Sequence, residues 1–380
     1  MNLANSNNLY TVTHQFNPKA LRVARELRGF QKNELAQKLE LTPSAITQFE
    51  SGKARPNPQT VGRISMALNF PPSFFAQPGD FGALSSDLAH FRSLKSSSQL
   101  ERRKMVSTSA LIGLLIRFVE SHVDLPEEQV SPHTNYGVST VEDIEQAAAK
   151  LRKDWGLGVG PISNIVHLLE SKGVLAFRLF SDCKRVDAFS LWHQGRPLVF
   201  LNTEKGSATR SRFDAIHELG HLIMHADYLP GDRLQEEQAN RFSSAFLLPK
   251  ESFVHECPRR LIWPHFLELK QRWKVSLPAL VRRAKDLSLI SEHSYHRANM
   301  QISQHWNYNE PCEPEIEKPS ILPQVVELLE KSGWTLSNIA REVHLSEVDL
   351  GLLIYADDEE YRESYVLKDI YDGGSLKHMG

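Results

Sequence analysis

Two histidines and a glutamate form the grouping with the clearest chemical potential in this sequence. His217 and His221 are four residues apart, and Glu218 directly follows the first of them. Four residues of α-helix turn through about 400° and rise about 6 Å, so both imidazoles project from one face. Two such imidazoles can bind one zinc ion through bonds of about 2.0–2.1 Å. Beside the first ligand, Glu218 is placed to take a proton from a water that zinc has acidified.

A catalytic zinc normally has three protein ligands and one open position, so a third donor is required. His225 continues the four-residue spacing, but it lies about 12 Å from His217 along an unbroken helix and about 80° around it. We therefore predict that the next helix supplies Glu236 as the ligand, with Asn240 on the same face orienting an imidazole from behind. Glu237 points about 100° away from Glu236 and is the alternative ligand.

A small sheet and a helix are predicted to position these residues. Apolar and β-branched runs at residues 174–180, 188–192 and 197–202 indicate three strands. The helix that carries the two histidines then begins after Ser207, a good capping residue, and its apolar residues recur at helical spacing as far as Ile223.

Residues 17–75 predict five short helices that include a helix-turn-helix pattern. In such a unit the third helix presents its N-terminal, solvent-facing side to the major groove of DNA. That side carries Ser44, Thr47 and Gln48, and the Gln amide can bond adenine through two hydrogen bonds. Lys32, at the start of the second helix, is placed to meet a phosphate.

This segment resembles the XRE-type helix-turn-helix family. The resemblance rests on Arg25, Ile46, the run Gln31-Lys32-Asn33-Glu34-Leu35-Ala36 and the run Glu50-Ser51-Gly52-Lys53-Ala54-Arg55-Pro56. It implies that Arg25 and Glu50 form a structural ion pair and do not contact DNA. Pro43 stands where the family usually has a polar residue.

The sequence around the paired histidines looks like the ImmA/IrrE family of zinc metallopeptidases. The similarity covers roughly residues 160–260 and is carried by RSRFDAIHELGHLIMH at 210–225, EEQANRF at 236–242 and FLLP at 246–249. Residues 269–276 and 279–284 resemble the helical extension found when this peptidase follows an XRE helix-turn-helix. The resemblance implies gluzincin-like chemistry, with two histidines and one glutamate on Zn²⁺ and Glu218 as the general base.

A peptidase must align its substrate before hydrolysis, and an exposed sheet edge can do this by accepting an extended peptide as a further strand. We predict that residues 197–202 form such an edge, because Pro197 lacks an N–H, as is tolerated on an edge or at the first residue of a strand. The alternative is that this strand is central and fully paired.

Composition and charge limit the class of protein. With 41% apolar residues, 24% charged residues and a net charge of −2, the chain is an ordinary globular protein whose total charge names no partner. Cys183, Cys257 and Cys312 are too few and too scattered for a disulfide framework or a four-thiolate zinc site. The N-terminus has no charged start followed by an apolar run, and residues 106–116 are too short an apolar stretch to span a bilayer. We predict a cytoplasmic protein without membrane spans.

The predicted fold class is α+β and predominantly helical: a helix-turn-helix bundle, a gluzincin-like core and a helical C-terminal region. Residues 320–354 echo the first helix-turn-helix at an offset of 304, with Trp334 matching Phe30 and Leu345-Ser346 matching Leu41-Thr42. The acids at the start of its third helix would repel phosphate, so this unit is predicted to contact protein or to pack within the fold, and not to bind DNA. The predicted domains are a tail (1–16), the helix-turn-helix domain (17–76), a linker and helical connector (77–159), the peptidase core (160–258), a helical extension (259–308), a linker (309–319), a small helical unit (320–355) and an acidic tail (356–380).

The predicted function is that of a homodimeric transcriptional regulator that binds double-stranded DNA and cleaves a protein partner, such as a repressor or antitoxin, with a zinc endopeptidase domain. The substrate class comes from the resemblance alone. The alternative is a non-enzymatic repressor or antitoxin whose zinc domain senses a ligand, binds a partner or stabilises the fold. A carboxylate beside a metal ligand favours the enzyme, because a purely structural zinc site gains nothing from it.

Overall fold

The computed structural model describes residues 8–78, 98–130, 140–179, 187–202, 207–225, 232–306 and 309–358. These residues form helices and a three-stranded sheet, which confirms the predicted α+β class with helix predominating. They divide into two compact units. The first unit holds residues 8–78, 98–125 and 321–358, and the second holds the described residues between 126 and 320. None of the described helices is long and apolar enough to cross a membrane.

Short helices at the start of the chain build most of the first unit. They are α1 (Leu9–His14), α2 (Pro18–Leu27), α3 (Lys32–Lys38), α4 (Pro43–Glu50), α5 (Pro58–Leu68), a 3₁₀ turn (Pro72–Ala76) and the longer α6 (Gln99–Glu120). Asparagine or threonine side chains cap α2, α4 and α5, each of which has a proline in its first turn. Both signals favour helix initiation. The five short helices predicted over residues 17–75 are present as four α-helices and the 3₁₀ turn.

The helix α1 lies within residues 1–16, which the sequence suggested to be a tail. Asn8 caps it, and the side chains of Val12 and Phe16 are buried. Burying two apolar side chains contributes a few kcal/mol, which makes this segment part of the fold. Residues 79–97 of the predicted linker and residues 359–380 of the predicted acidic tail lie outside the described residues.

The second unit contains the predicted sheet and the helices around it. In chain order its elements are α7 (Val141–Asp154), α8 (Ile165–Ser171), β1 (Leu175–Leu179), β2 (Ala188–His193), β3 (Arg196–Asn202), α9 (Ala208–Met224), α10 (Arg233–Leu247), α11 (Lys250–Glu256), α12 (Trp263–Trp273), α13 (Leu277–Asp286) and α14 (Glu292–His305). The last three helices, α15 (Ile321–Lys331), α16 (Leu336–Glu342) and α17 (Glu347–Ile354), belong to the first unit.

The sheet has the order β1-β3-β2, so β3 is the central strand. It runs parallel to β1 and antiparallel to β2. The prediction that this strand is an exposed edge is therefore wrong, and a substrate cannot add to it. Pro197 precedes Leu198, the first residue paired with β1, and it lies near the start of β3. Near the start of a strand, a missing N–H does not prevent a central position.

The helix α9 packs between the sheet and α10. Its buried apolar residues Ala215, Ile216, Leu219 and Leu222 join Val199 and Phe246 in one hydrophobic cluster. Gly220 allows α10 to come close, because a Cβ atom at this position would lie 3.1 Å from the ring of Phe242 and 3.5 Å from Cα of Ala239. The close approach of these two helices brings the first turn of α10 beside the histidines of α9.

An acidic segment, residues 309–320, crosses the second unit without forming a helix or a strand. The buried ammonium of Lys270 donates to Glu310 at 2.7 Å and also to Glu313. Glu310 accepts a further hydrogen bond from the N–H of Leu277 in the first turn of α13, and Glu313 accepts one from the first turn of α9. Both carboxylates thus neutralise a buried cation and satisfy free N–H groups at a helix start.

Glu317, in the same acidic segment, accepts hydrogen bonds from the buried guanidinium of Arg212 on α9 and from the N–H groups of Ile165 and Val166 at the start of α8. Its main-chain oxygen accepts from Arg178 of β1. The residues predicted as a linker form neither a helix nor a strand, but Glu310, Glu313 and Glu317 make fixed contacts within the folded unit.

Candidate metal centre and DNA-reading helix

The helix α9 is built to present two imidazoles to α10. Ser207 caps it by accepting from the N–H of Arg210. Its sheet-facing residues are buried and apolar, so the helix cannot rotate without exposing them. His217 and His221, one turn apart, then project toward the first turns of α10, as the spacing predicted.

Three side chains converge on one point between these helices. The Nε2 atoms of His217 and His221 are 3.0 Å apart, and Oε2 of Glu236 lies 3.1 Å from the first and 3.6 Å from the second. Donors bound to tetrahedral zinc at about 2.0–2.1 Å are separated by roughly 3.3 Å. Two imidazole nitrogens and a carboxylate oxygen are also a donor set that suits zinc. These residues fit a metal ion in both spacing and chemistry, and they can hold one.

The alternative third ligand, Glu237, does not belong to this group of converging side chains. Glu237 is 61% exposed and forms an ion pair with Arg233, one turn earlier on the same helix. The carboxylate of Glu236 is buried and faces both histidines. Burial raises the pKa of Glu236, but hydrogen bonds to the two histidines outweigh this and hold that pKa well below its usual range.

Glu218 is buried beside the three converging side chains. The hydroxyl of Ser190 on β2 donates to its Oε2 at 2.7 Å. Burial raises the pKa of Glu218 to about 7, although His217 and the hydrogen bond from Ser190 act in the opposite direction. A carboxyl group with a pKa near neutrality can both accept and return a proton under physiological conditions.

Hydrogen bonds behind the histidines set their orientation. Nδ1 of His217 lies 3.1 Å from Oδ1 of Asn240, the arrangement that the sequence predicted. Nδ1 of His221 lies 3.0 Å from Nδ1 of His225, whose Nε2 lies 2.9 Å from Oε1 of Gln238. When Nε2 of His221 faces a metal, its Nδ1–H donates to His225, and His225 in turn donates to Gln238. Such contacts fix the tautomer and the ring plane of a ligand.

Sequence reasoning missed three of these residues. The helix spacing argues against His225 as a ligand and predicts no other role for it, whereas the structure places it behind His221. The four-residue spacing from His221 was its signal, since residues that far apart share a helix face. Ser190 and Gln238 gave no signal, because a serine on a strand and an exposed-looking glutamine in a helix occur in most proteins.

The predicted DNA-reading residues are open to solvent on α4. Ser44, Thr47 and Gln48 are all exposed, and the side chain of Thr42 caps the helix by accepting from the N–H of Ala45. The exposed N-terminal turns of this helix can therefore enter a major groove.

The predicted phosphate-binding Lys32 and the predicted Arg25–Glu50 ion pair both lie beside α4. Nζ of Lys32 is 3.5 Å from Oγ1 of Thr47 and 3.5 Å from the carboxylate of Glu50. The guanidinium of Arg25 donates to both oxygens of Glu50, and both side chains are buried. The structural ion pair expected from the resemblance is thus present, and it anchors the C-terminus of α4.

Comparisons with known proteins place both sites within recognised domains. Residues 21–75 match the family model described as a helix-turn-helix, and residues 169–285 match the M78 peptidase model described as an IrrE N-terminal-like domain. The first match contains α4, and the second contains α9 and α10. No curated protein gives a significant match to this chain. The predicted fusion of a helix-turn-helix with an ImmA/IrrE-type domain is confirmed.

Proposed function

We propose that this chain, which joins a helix-turn-helix domain to an M78 peptidase-family domain, is a DNA-binding regulator that cleaves a protein partner with a zinc-dependent endopeptidase. One observation carries the enzymatic part of the proposal. His217, His221 and Glu236 converge at ligand spacing, and the carboxyl of Glu218, next to His217, is buried and accepts a hydrogen bond from Ser190. A site that only stabilises the fold does not require this fourth group.

In this proposal each side chain has a defined role. His217, His221 and Glu236 hold Zn²⁺, which when bound supplies the Lewis acidity that polarises the scissile carbonyl. Glu218 takes the proton of the attacking water and passes it to the leaving amine, and Ser190 holds its carboxyl in place. Asn240 keeps the imidazole of His217 in one tautomer.

We assign DNA binding to α4. Gln48 is the base-reading residue, Ser44 and Thr47 add less selective contacts, and Lys32 meets a phosphate. The exposure of these residues and the surplus of basic side chains in residues 17–76 support this assignment. A two-fold operator bound by a homodimer is part of the proposal, because helix-turn-helix proteins commonly read two half-sites.

We further propose that the substrate is a repressor or antitoxin-like protein. The test compares cells that express the wild-type chain with cells that express the Glu218→Gln variant. Protein termini are sequenced in both, and termini found only with the wild-type chain identify the substrate. Glu237→Gln is the matched control, because this exposed neighbour is neither ligand nor base, and it should give the wild-type termini.

The alternative function is a non-enzymatic repressor whose metal site serves sensing or partner binding. It predicts identical termini in the Glu218→Gln and wild-type cells, together with regulation that still requires His217 and His221. Such a result would replace the endopeptidase in our proposal while leaving its DNA-binding part intact.

A further inference from the structure

The last three helices of the chain repeat the geometry of the DNA-binding helices. An offset of 304 residues carries the bounds of α3 (Lys32–Lys38) to those of α16 (Leu336–Glu342) and the bounds of α4 (Pro43–Glu50) to those of α17 (Glu347–Ile354). The same offset carries the end of α2 at Leu27 to the end of α15 at Lys331. The three helices α15, α16 and α17, hereafter the C-terminal repeat, therefore have the lengths and loop lengths of a helix-turn-helix.

The backbone at the turns agrees with this repeat. Gly29 and Gly333, at equivalent positions after the first helix, both have positive φ angles, of 76° and 88°. Glu40 and His344, equivalent positions after the second helix, have φ angles of 54° and 57°. Positive φ is uncommon for residues other than glycine, so two matching positions indicate the same turn geometry.

The face that reads DNA in α4 has a different character in α17. Val348, Gly351 and Leu352 occupy the positions of Ser44, Thr47 and Gln48. The three residues of α4 are exposed, whereas Gly351 is buried and the other two are half-buried. An apolar face offers no hydrogen bonds to base edges.

The residue of α17 that matches Ala45 is Asp349, which contacts the first helix-turn-helix directly. Both oxygens of its carboxylate accept hydrogen bonds of 2.8 Å from the two terminal nitrogens of Arg28 at the end of α2. Nε of Arg28 also donates to the main-chain oxygen of Leu68, and the guanidinium lies 4.5 Å above the ring of Phe70. The pair is largely withdrawn from water, with 24% and 8% of the two side chains exposed.

A second contact lies beside this ion pair. The side-chain amide of Gln77, just after the 3₁₀ turn, donates to the main-chain oxygen of Val343 at 3.2 Å, and both groups are buried. Val343 precedes α17 in the turn of the C-terminal repeat. Two polar contacts with fixed geometry thus join the C-terminal repeat to the α2 and α5 end of the DNA-binding domain.

We propose that α17 is a protein-docking helix and that its partner is the DNA-binding domain of the same chain. The C-terminal repeat is a helix-turn-helix that has apolar residues at the positions where α4 reads DNA, and its Asp349 binds Arg28. Each chain then presents one DNA-reading helix, α4, and carries its own partner for the part of that domain where α2 and α5 end. Only the statement that α4, and not α17, reads DNA rests on the proposed function; the docking contact does not.

The docking contact is tested by hydrogen exchange of the full chain. Asp349→Asn keeps the size of the side chain and removes its charge, so exchange of residues 336–354 should quicken by about tenfold or more, as expected for losing a charge-assisted pair. Glu347→Gln is the matched control, because this exposed acid of the same helix makes no contact with Arg28, and its exchange should remain within about twofold of wild type.

Arg28→Met removes the other partner of the same ion pair and leaves the sequence of α17 unchanged. It therefore shows whether the effect of Asp349→Asn is only a local folding defect in α17. It should quicken exchange as much as Asp349→Asn does, and the double variant should add little, because both changes remove one contact. Additive effects, or wild-type exchange in both single variants, would overturn the docking contact. Protection that falls on dilution would also overturn it, since the partner would then be a second copy.

A DNA footprint of the full chain tests whether α4, and not α17, contacts the bases. Protection of bases should depend on Gln48 and should be unchanged in the Leu352→Ala variant. A set of protected bases that disappears with Leu352→Ala would show that α17 reads DNA and would overturn our inference. If DNA binding proves independent of Gln48 while the exchange results hold, the proposed reading role of α4 fails and the docking helix stands.

Discussion

At the residue scale, the two histidines of α9 are the donors on which the zinc proposal depends most. Changing His217 or His221 to Ala leaves two ligands, which do not hold a catalytic zinc tightly. We expect the purified protein to contain about one zinc, and each histidine variant to contain none. Glu218→Gln should keep the metal and stop proteolysis, and Glu237→Gln should keep both. Elemental analysis measures the metal, and unchanged zinc in both histidine variants would show that the site is elsewhere.

The contact between His221 and His225 gives a second prediction at this scale. In His225→Asn the side-chain oxygen can replace Nδ1 as the acceptor for His221, whereas in His225→Leu no acceptor remains. We expect His225→Leu to lower zinc affinity by about 10–100-fold, the range typical of residues that orient a ligand, and His225→Asn to recover most of it. Competition with a chelator of known affinity measures the difference. Equal losses in both variants would mean that His225 acts only by filling space.

At the scale of the elements, the acidic segment stabilises the second unit. In Glu317→Gln the buried guanidinium of Arg212 loses its counter-charge, and burial alone already lowers the pKa of this arginine to about 10. Removing one partner of a buried pair costs about 3–5 kcal/mol, so we expect the free energy of unfolding to fall by that order. Denaturant unfolding followed by tryptophan fluorescence measures it. Glu315→Gln, an exposed acid of the same segment, should have little effect.

The helix α4 carries the prediction for DNA. Gln48→Ala should weaken a specific site by roughly 1–3 kcal/mol and relax the preference at one base, because only the amide distinguishes bases. Lys32→Ala should weaken all sequences alike and reduce the salt slope by about one, because it removes one phosphate contact. Titrations of selected and random duplexes over a salt series separate the two effects. Specific binding by a chain that lacks residues 1–76 would contradict the assignment.

At the scale of the whole molecule, stability should depend on pH through carboxylates of the second unit. Burial raises the pKa of Glu145 and of Glu313, but the neighbouring cations outweigh this effect. Arg283 and Arg241 hold the pKa of Glu145 below its usual value, and Lys270 does the same for Glu313. A depressed carboxyl pKa stabilises the fold fully above the unfolded value of about 4.3, and this contribution is lost as pH falls toward the folded value.

We therefore expect the free energy of unfolding to be constant with respect to these two groups at neutral pH and to decline below about pH 4.5. Glu313→Gln should flatten part of that decline while lowering stability at pH 7, since Lys270 then lacks one of its two counter-charges. Unfolding curves measured across a pH series test this. A variant that unfolds with the same acid dependence as the wild type would remove Glu313 from the explanation.

The sequence by itself determined the features that depend on spacing within one element. The four-residue separation of His217 and His221 fixes a shared helix face wherever the helix lies, and that of Glu236 and Asn240 does the same on α10. The turn and cap residues of the helix-turn-helix likewise act within a few residues, so its helices were predictable. Once these residues form a helix, the helical geometry sets the directions in which their side chains point.

Only the tertiary structure decided which distant residues meet. Ser190 reaches Glu218 because the sheet order brings β2 under α9, and the same order makes β3 central, against the prediction from Pro197. Asp349 finds Arg28 across most of the chain. The local sequence determines which face of a helix or strand is apolar. Which faces pack against each other depends on burying the apolar faces of all elements at the same time. That requirement is a property of the whole fold, and no window of the sequence contains it.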